Sequence, residues 1–317
     1  MKNLKVVFFG TPDFAKESLA AIHQSNHQVV GVVTVADKPS GRGQKLTESP
    51  VKKYAVENNL TVFQPEKLRN PEFLEQIRNL DADVFVVVAF RMMPKILFEM
   101  SKIGTFNLHA SLLPDYRGAA PINFAIINGE EKTGATTFFI NEKIDEGNIL
   151  LQEELPISPD ENAGSLHDRL MEMGAKLVVK TLDGLAENSI TEQPQPQVAE
   201  PKNAFKIFKE DTRINWNQDG ETVHNFIRGM SPYPAAWTEL HQGDAAPLAL
   251  KIFETEKVFV AHNLKPGSIV TDKKTYFQIA STDGFVKVLS LQLAGKKRME
   301  VADFLRGYRH VEDSFVE

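Results

Sequence analysis

Asn107 and His109 stand two residues apart in the run Asn107-Leu108-His109-Ala110-Ser111-Leu112-Leu113-Pro114. On a strand, that spacing puts both side chains on one face. An imidazole can carry a proton near neutrality, and an amide can donate hydrogen bonds. On a strand inside a covered sheet, such a pair must be satisfied or functional. It falls at the C-terminal end of its run, where open α/β sheets bind ligands. A hydrogen-bonded histidine beside a turn-forming asparagine fits the same spacing equally well. Ser111 to Pro114 then reads as a rigid connection, and Arg117-Gly118 as a turn.

Three other stretches carry polar or ligand-facing candidates. Asp145 lies in the polar bend 143–148. Spacing alone makes it a candidate partner for a histidine, although most such bends are solvated turns. Gly10-Thr11-Pro12-Asp13-Phe14-Ala15 sits between a strand-like run and a helical pattern. It lacks the second glycine of G-x-G-x-x-G and the Gly-Lys-Ser/Thr of a P-loop, so a nucleotide cofactor is disfavoured. It reads as a tight turn with Asp13 near a helix start, or as a ligand-facing turn with Phe14 lining a pocket. The segment 36–45 carries three positive charges and two glycines. It is too polar to pack into a core. It is either a solvated loop or an arm that grips phosphate.

The elements that must position these residues alternate through the first half. Apolar runs at 4–9, 29–35, 84–89 and 104–110 read as strands, and 134–140 and 149–155 extend them. Helical patterns occupy 14–24, 52–58, 70–79, 121–128 and 165–186, and 34–50 reads as a loop. Continuous apolar strands between helices mean an α/β fold with a mostly parallel sheet covered on both faces. Residues 190–204 carry three prolines and read as a semi-rigid linker. Beyond it a short helix at 221–229 precedes strand-like pieces at 236–241, 248–261, 268–270, 275–280 and 285–292. About five short strands with turns between them suggest a small OB-like β-barrel. The expected layout is therefore a domain at 1–189, the linker 190–204 and a second domain at 205–317.

Composition narrows the functional classes. The 317 residues are 42% hydrophobic and 25% charged, an ordinary globular balance. Cysteine is absent, which excludes a thiol nucleophile and a Cys-ligated zinc or iron–sulfur site. The net charge is −6, unlike a protein built to coat nucleic acid. Residues 201–317 hold 16 Lys/Arg against 15 Asp/Glu, so a local basic patch is open to that part. No signal-peptide core and no run of the ~20 apolar residues needed to cross a membrane is visible. The expectation is a cytoplasmic location.

Together these segments resemble the methionyl-tRNA formyltransferase family, with matches along nearly the whole chain. They are GTPDFA (10–15), DKPSGRGQKL (37–46), NLHASLLPDYRGAAPI (107–122) and KIDEGNILL (143–151). They continue with SLHDRL (165–170), RINW (213–216), RGMSPYPAAWT (228–238) and LQLAGKKRMEVADFLRG (291–307). The N-x-H…SLLP-x-x-R-G…D constellation resembles enzymes that use 10-formyltetrahydrofolate as donor. The loop at 37–46 and the segment 291–307 resemble the member that acts on tRNA.

The resemblance implies a Rossmann-like formyltransferase domain followed by an OB-like tRNA-binding barrel. It implies formyl transfer from 10-formyltetrahydrofolate, the co-substrate, to the α-amine of initiator methionyl-tRNA. Asn107, His109 and Asp145 would be catalytic. Ser111, Leu112, Leu113 and Pro114, with Phe90, Arg91 and Met92, would bind folate. Lys38, Arg42 and Lys45 would contact tRNA, and Phe14 would line the methionine pocket. No metal and no membrane partner is expected, and the enzyme is expected to act as a monomer. The roles make chemical sense: Asn107 can donate to a tetrahedral oxyanion, His109 can move the proton, and an Asp145 carboxylate can orient the imidazole.

Two departures from the family pattern stand out. Ala89-Phe90-Arg91-Met92-Met93-Pro94 replaces a segment that usually begins Ala-Tyr-Gly and is one residue longer. Ile144-Asp145-Glu146-Gly147-Asn148 replaces Leu-Asp-Thr-Gly-Asp, keeping Asp145 and Gly147. Two alternatives compete with the family reading. One is a formyltransferase for an amino-sugar nucleotide or another small amine. The other is a non-catalytic tRNA-binding or folate-sensing protein. The basic loop plus the barrel disfavours the first, and the intact Asn107, His109 and Asp145 disfavour the second.

Overall fold

The computed structural model describes residues 3–40, 45–308 and 314–317. The chain forms two compact units. One holds Met1–Gly118, Thr133–Pro156 and His167–Asn203, and the other Ala119–Lys132, Ile157–Leu166 and Ala204–Glu317. Two segments that precede the proline-rich stretch therefore cluster with the C-terminal unit.

In chain order the first half gives β1 (Lys5–Gly10), α1 (Asp13–Gln24), β2 (Gln28–Val33), β3 (Lys38–Ser40) and β4 (Lys45–Thr47). Next come α2 (Pro50–Glu57), β5 (Val62–Phe63), α3 (Pro71–Asn79), β6 (Val84–Val88) and α4 (Lys95–Phe98). They are followed by β7 (Gly104–His109), β8 (Arg117–Gly118), α5 (Pro121–Ile127), β9 (Lys132–Phe139), β10 (Ile149–Pro156), α6 (Ala163–Ala186) and β11 (Asn203–Ala204).

The first unit is built on a seven-stranded sheet in the order β10-β9-β7-β6-β1-β2-β5. Its five central and far strands pair in parallel, and β9 runs antiparallel to β7. The α/β reading with a mostly parallel sheet holds, with the antiparallel strand toward one edge. β6 is buried at all five positions, which is why its sequence is apolar without alternation. Val7, Phe9, Phe85 and Val87 on one face meet Phe73, Leu74 and Ile77 of α3 and Leu97 and Phe98 of α4. Ser49 caps α2 through the Lys52 amide, and Asn70 caps α3 through the Glu72 and Phe73 amides. Each cap contributes about 1 kcal/mol. The stretch read as a loop at 34–50 contains a two-stranded ribbon, with Lys38 opposite Thr47 and Ser40 opposite Lys45. Three-residue strands leave no periodicity to read.

The second unit contains α7 (Gly220–Met230), β12 (Ala236–His241), β13 (Leu248–Val258), β14 (Ile269–Thr271), β15 (Phe277–Ala280) and β16 (Phe285–Leu293). It ends with β17 (Met299–Glu300), α8 (Val301–Gly307) and β18 (Phe315–Val316). The strands run β14-β15-β16-β13-β12-β18, and a bridge between Ser268 and Phe315 brings the ends together. The result is a nearly closed antiparallel barrel. At that seam Gly267 has φ +88°, and a Cβ there would come within 2.3 Å of the Val316 carbonyl oxygen. Only glycine fits so close an approach. Trp216, Ile227, Leu250, Phe277, Val288 and Phe304 lie in the barrel core. The sequence reading missed β17, α8 and β18, which are too short or too polar to register. Among the described residues no helix is long and apolar enough to cross a membrane.

Candidate active site

Loops at the C-terminal edge of the first unit's sheet carry most of the residues singled out by sequence. β6 and β7 run side by side, Val87 opposite Asn107 and Val88 opposite Leu108. Asn107 is half-buried, and its amide makes no hydrogen bond among the described residues. His109 is buried at the tip of β7, and its Nε2 lies 2.8 Å from the Tyr116 carbonyl oxygen. A carbonyl only accepts, so Nε2 carries a proton there. That leaves Nδ1 as the uncommitted nitrogen, and it lies 3.8 Å from Asp145 Oδ2. The structure therefore brings Asn107, His109 and Asp145 together although 36 residues separate the last two in sequence.

Asp145 is held from several directions. Its Oδ2 accepts from the Gly118 amide at 2.9 Å. Its backbone sits at φ +53°, a left-handed conformation that Asp and Asn adopt more readily than most residues. Gly147 closes the same bend: a Cβ there would lie 1.5 Å from the Phe139 carbonyl oxygen, so no side chain can be accommodated. The aspartate and the glycine of 145–147 thus do separate work. One presents a carboxylate, and the other lets the loop fold back against β9.

The connection 111–114 is stapled by neighbouring strands. The Ser111 hydroxyl donates to the Asp115 carbonyl at 2.7 Å, and its own carbonyl accepts from Thr136 Oγ1 at 2.6 Å. Thr136 Oγ1 in turn accepts from the Leu113 amide, and Gln152 Nε2 donates to the Leu113 carbonyl at 3.0 Å. Ser111 and Leu113 are buried, while Leu112 and Pro114 are half-buried. Any ligand contact from this stretch therefore falls to Leu112, Pro114 and backbone.

The loop after β6 places Phe90 5.8 Å from the Phe9 ring, and it leaves Met92 exposed. Arg91 spends its guanidinium on the Pro65 and Glu66 carbonyls at 2.5 and 2.9 Å. In this loop arginine works as a staple to the chain that follows β5. Phe14 is buried in α1, edge-on to the His167 ring at 5.3 Å.

Lys38 is exposed at the start of the ribbon, and Lys45 lies on its second strand. Arg42 lies outside the described residues. The base of this segment is pinned by Asp37, which pairs with Lys52 and accepts from Gln64 Nε2 at 2.8 Å. Hydrogen bonds from Lys52 and then Gln64 hold the Asp37 carboxyl below its usual range. Sequence reasoning counts the cations of this segment and passes over the Asp37 anchor.

It assigns no role to Arg117 or Gln195. Arg117 donates from Nε and Nη2 to Gln195 Oε1 at 3.1 and 2.6 Å, and pairs with Glu146 at 3.4 Å. Arg117 enters the sequence reading in a turn and in the SLLP-x-x-R-G motif with no role of its own, and Gln195 only as part of a linker. The sole hint was a glutamine flanked by prolines, Pro194-Gln195-Pro196.

Comparison with known proteins identifies the family. Residues 4–182 match the formyl transferase family, and 206–309 match the formyl transferase C-terminal domain. A methionyl-tRNA formyltransferase of Phocaeicola vulgatus is 54% identical over 321 aligned positions, covering 100% of this chain and 99% of that one. One from Bacteroides fragilis is 50% identical, covering 99% and 98%. Among solved structures, the sugar 3N-formyl transferase WlaRD, crystallised with dTDP and 5-N-formyl-tetrahydrofolate, superposes with a TM-score of 0.65. It is 23% identical and covers 94% of this chain and 100% of that one, a likeness of fold.

Proposed function

The chain belongs to the methionyl-tRNA formyltransferase family, and on that premise we propose how its residues move a formyl group from 10-formyltetrahydrofolate to the α-amine of initiator methionyl-tRNA. The observation that carries the mechanism is the cluster of Asn107, His109 and Asp145 at the tip of β7, with Nδ1 of His109 facing Asp145 at 3.8 Å. The amine nitrogen attacks the formyl carbon and forms a C–N bond. The carbonyl oxygen takes the electron pair as an oxyanion, and the free Asn107 amide donates to it. His109 takes the proton from the attacking nitrogen at Nδ1, because Nε2 is committed to Tyr116. Asp145 stabilises the imidazolium so formed. The proton then passes to N10 of the folate as the C–N10 bond breaks, and tetrahydrofolate leaves. The acceptor amine is itself the nucleophile, so no enzyme nucleophile enters the balance.

Around this centre, Leu112 and Pro114, with Phe90, Arg91 and Met92, border the folate, and Ser111 and Leu113 hold the loop shape. Phe14 packs behind the methionine side chain. Lys38, Arg42 and Lys45 meet the tRNA, and the barrel unit adds its less acidic surface. In this reading the enzyme acts as a monomer in the cytoplasm, where translation draws on the product. The amino-sugar reading is weaker. Identity is about half to enzymes named for methionyl-tRNA and 23% to the sugar enzyme.

The test offers labelled 10-formyltetrahydrofolate with initiator methionyl-tRNA and amino-sugar nucleotides side by side. Label in formylmethionyl-tRNA is expected. Label confined to the sugar would refute the acceptor assignment.

A further inference from the structure

The geometry points to Gln195 as a positioning residue for formyl transfer, acting through the 145–147 loop. This rests on the role of Asp145 given above. Gln195 lies in the proline-rich stretch, which runs along the first unit at this point. Gln193 and Ile149 exchange backbone hydrogen bonds of 2.7 and 2.9 Å, and Asn148 Nδ2 donates to Glu192 at 3.0 Å. These bonds carry the half-buried Gln195 up to the bend.

Both halves of its amide are used. Nε2 donates to the Asp145 carbonyl at 2.7 Å and to the Gly147 carbonyl at 2.9 Å. Oε1 accepts twice from Arg117. Arg117 precedes Gly118, whose amide holds the Asp145 carboxylate. Asp145 is thus gripped at its carboxylate by Gly118 and at its carbonyl by Gln195, and Arg117 links the two grips. Only a primary amide can donate to two carbonyls while accepting from a guanidinium. A left-handed residue whose charge must face His109 at 3.8 Å depends on such a brace. Gln195 itself touches no reacting atom in this scheme.

The experiment uses the full chain and measures kcat, KM for methionyl-tRNA, folate Kd and Tm. The variants are Gln195→Ala, Gln195→Glu, Asp145→Asn and the Gln195→Ala/Asp145→Asn double. Gln195→Ala is expected to lower kcat by about 10- to 100-fold, the scale of an ångström-sized misplacement, with KM, folate Kd and Tm nearly unchanged. Gln195→Glu keeps the acceptor for Arg117 but cannot donate to the two carbonyls. It should be as slow as Gln195→Ala, and it serves as the second variant where alanine folds poorly. In the Asp145→Asn background, Gln195→Ala should add less than about threefold, because coupled residues are non-additive. A normal kcat in Gln195→Ala beside a slow Asp145→Asn overturns this inference alone. Full activity in Gln195→Glu, or an additive double variant, does the same. A near-normal Asp145→Asn removes the reading of Asp145 and this inference with it.

Discussion

Replacing Asp145 with Asn removes a charge and leaves almost everything else in place. Asn tolerates the left-handed backbone at φ +53°, and its Oδ1 can still accept from the Gly118 amide. What disappears is the carboxylate 3.8 Å from His109 Nδ1, in a pair whose side chains are 7% and 14% exposed. Two unit charges at that separation interact by about 4 kcal/mol at an effective dielectric near 20. The imidazolium is only partly formed in the transition state, so about 2–4 kcal/mol of barrier is at stake, roughly 30- to 1,000-fold in rate. The assay is single-turnover formylation of initiator methionyl-tRNA by quench flow, with folate binding and Tm measured on the same samples. The expected result is a slowed chemical step with unchanged binding and unfolding. Single-turnover rates within about twofold of the parent would refute the electrostatic reasoning outright.

Other outcomes follow from the same geometry. Gly147→Ala forces a Cβ to within 1.5 Å of the Phe139 carbonyl, so the bend must move. Transfer should fall at least as far as in Asp145→Asn, with a circular dichroism spectrum like the parent's, and full activity would contradict the packing. Arg42→Ala should lower kcat/KM for methionyl-tRNA without altering folate affinity, and Arg42→Lys should also be defective because a bidentate fork is lost. Lys38→Ala should flatten the salt dependence of tRNA binding, measured at two ionic strengths. His224 is buried on α7 against Thr255, and burial depresses its pKa below 6.5, with Lys257 and Arg228 adding to the effect and Asp160 and Glu221 opposing it. The unfolded chain then binds the extra proton, so stability is lost as pH falls below about 6.5. The drop in urea midpoint between pH 7.5 and 5.5 should be smaller in His224→Gln, and an equal drop would exclude His224 as a contributor.

The fold was legible where burial imposes a pattern. β6 is covered on both sides and reads as an unbroken apolar run, and β12 alternates because one face meets the barrel core. The strand expected at 84–89 stops at Val88 because Ala89 turns to φ +45°. Two-residue strands such as β5 and β18 are defined by partners distant in sequence, and the two residues of β17 are too few to show a pattern. The site divides in the same way. Asn107 and His109 were legible because a strand fixes which face two alternate residues share. Asp145 needed a family resemblance, since a polar bend looks solvated until its neighbours are known. Gln195 lies 50 residues further along, in a stretch whose prolines speak only of extension. The contact that gives it meaning is tertiary.

In the proposed mechanism the tip of β7 performs the transfer, with the uncommitted Asn107 amide receiving the oxyanion. The most direct measurement is the single-turnover rate of formyl transfer to initiator methionyl-tRNA by Asn107→Ala, with folate Kd determined in parallel. Loss of one oxyanion donor predicts a rate about 10²–10³-fold slower at unchanged folate affinity. An Asn107→Ala enzyme that transfers at the parent rate would contradict the claim.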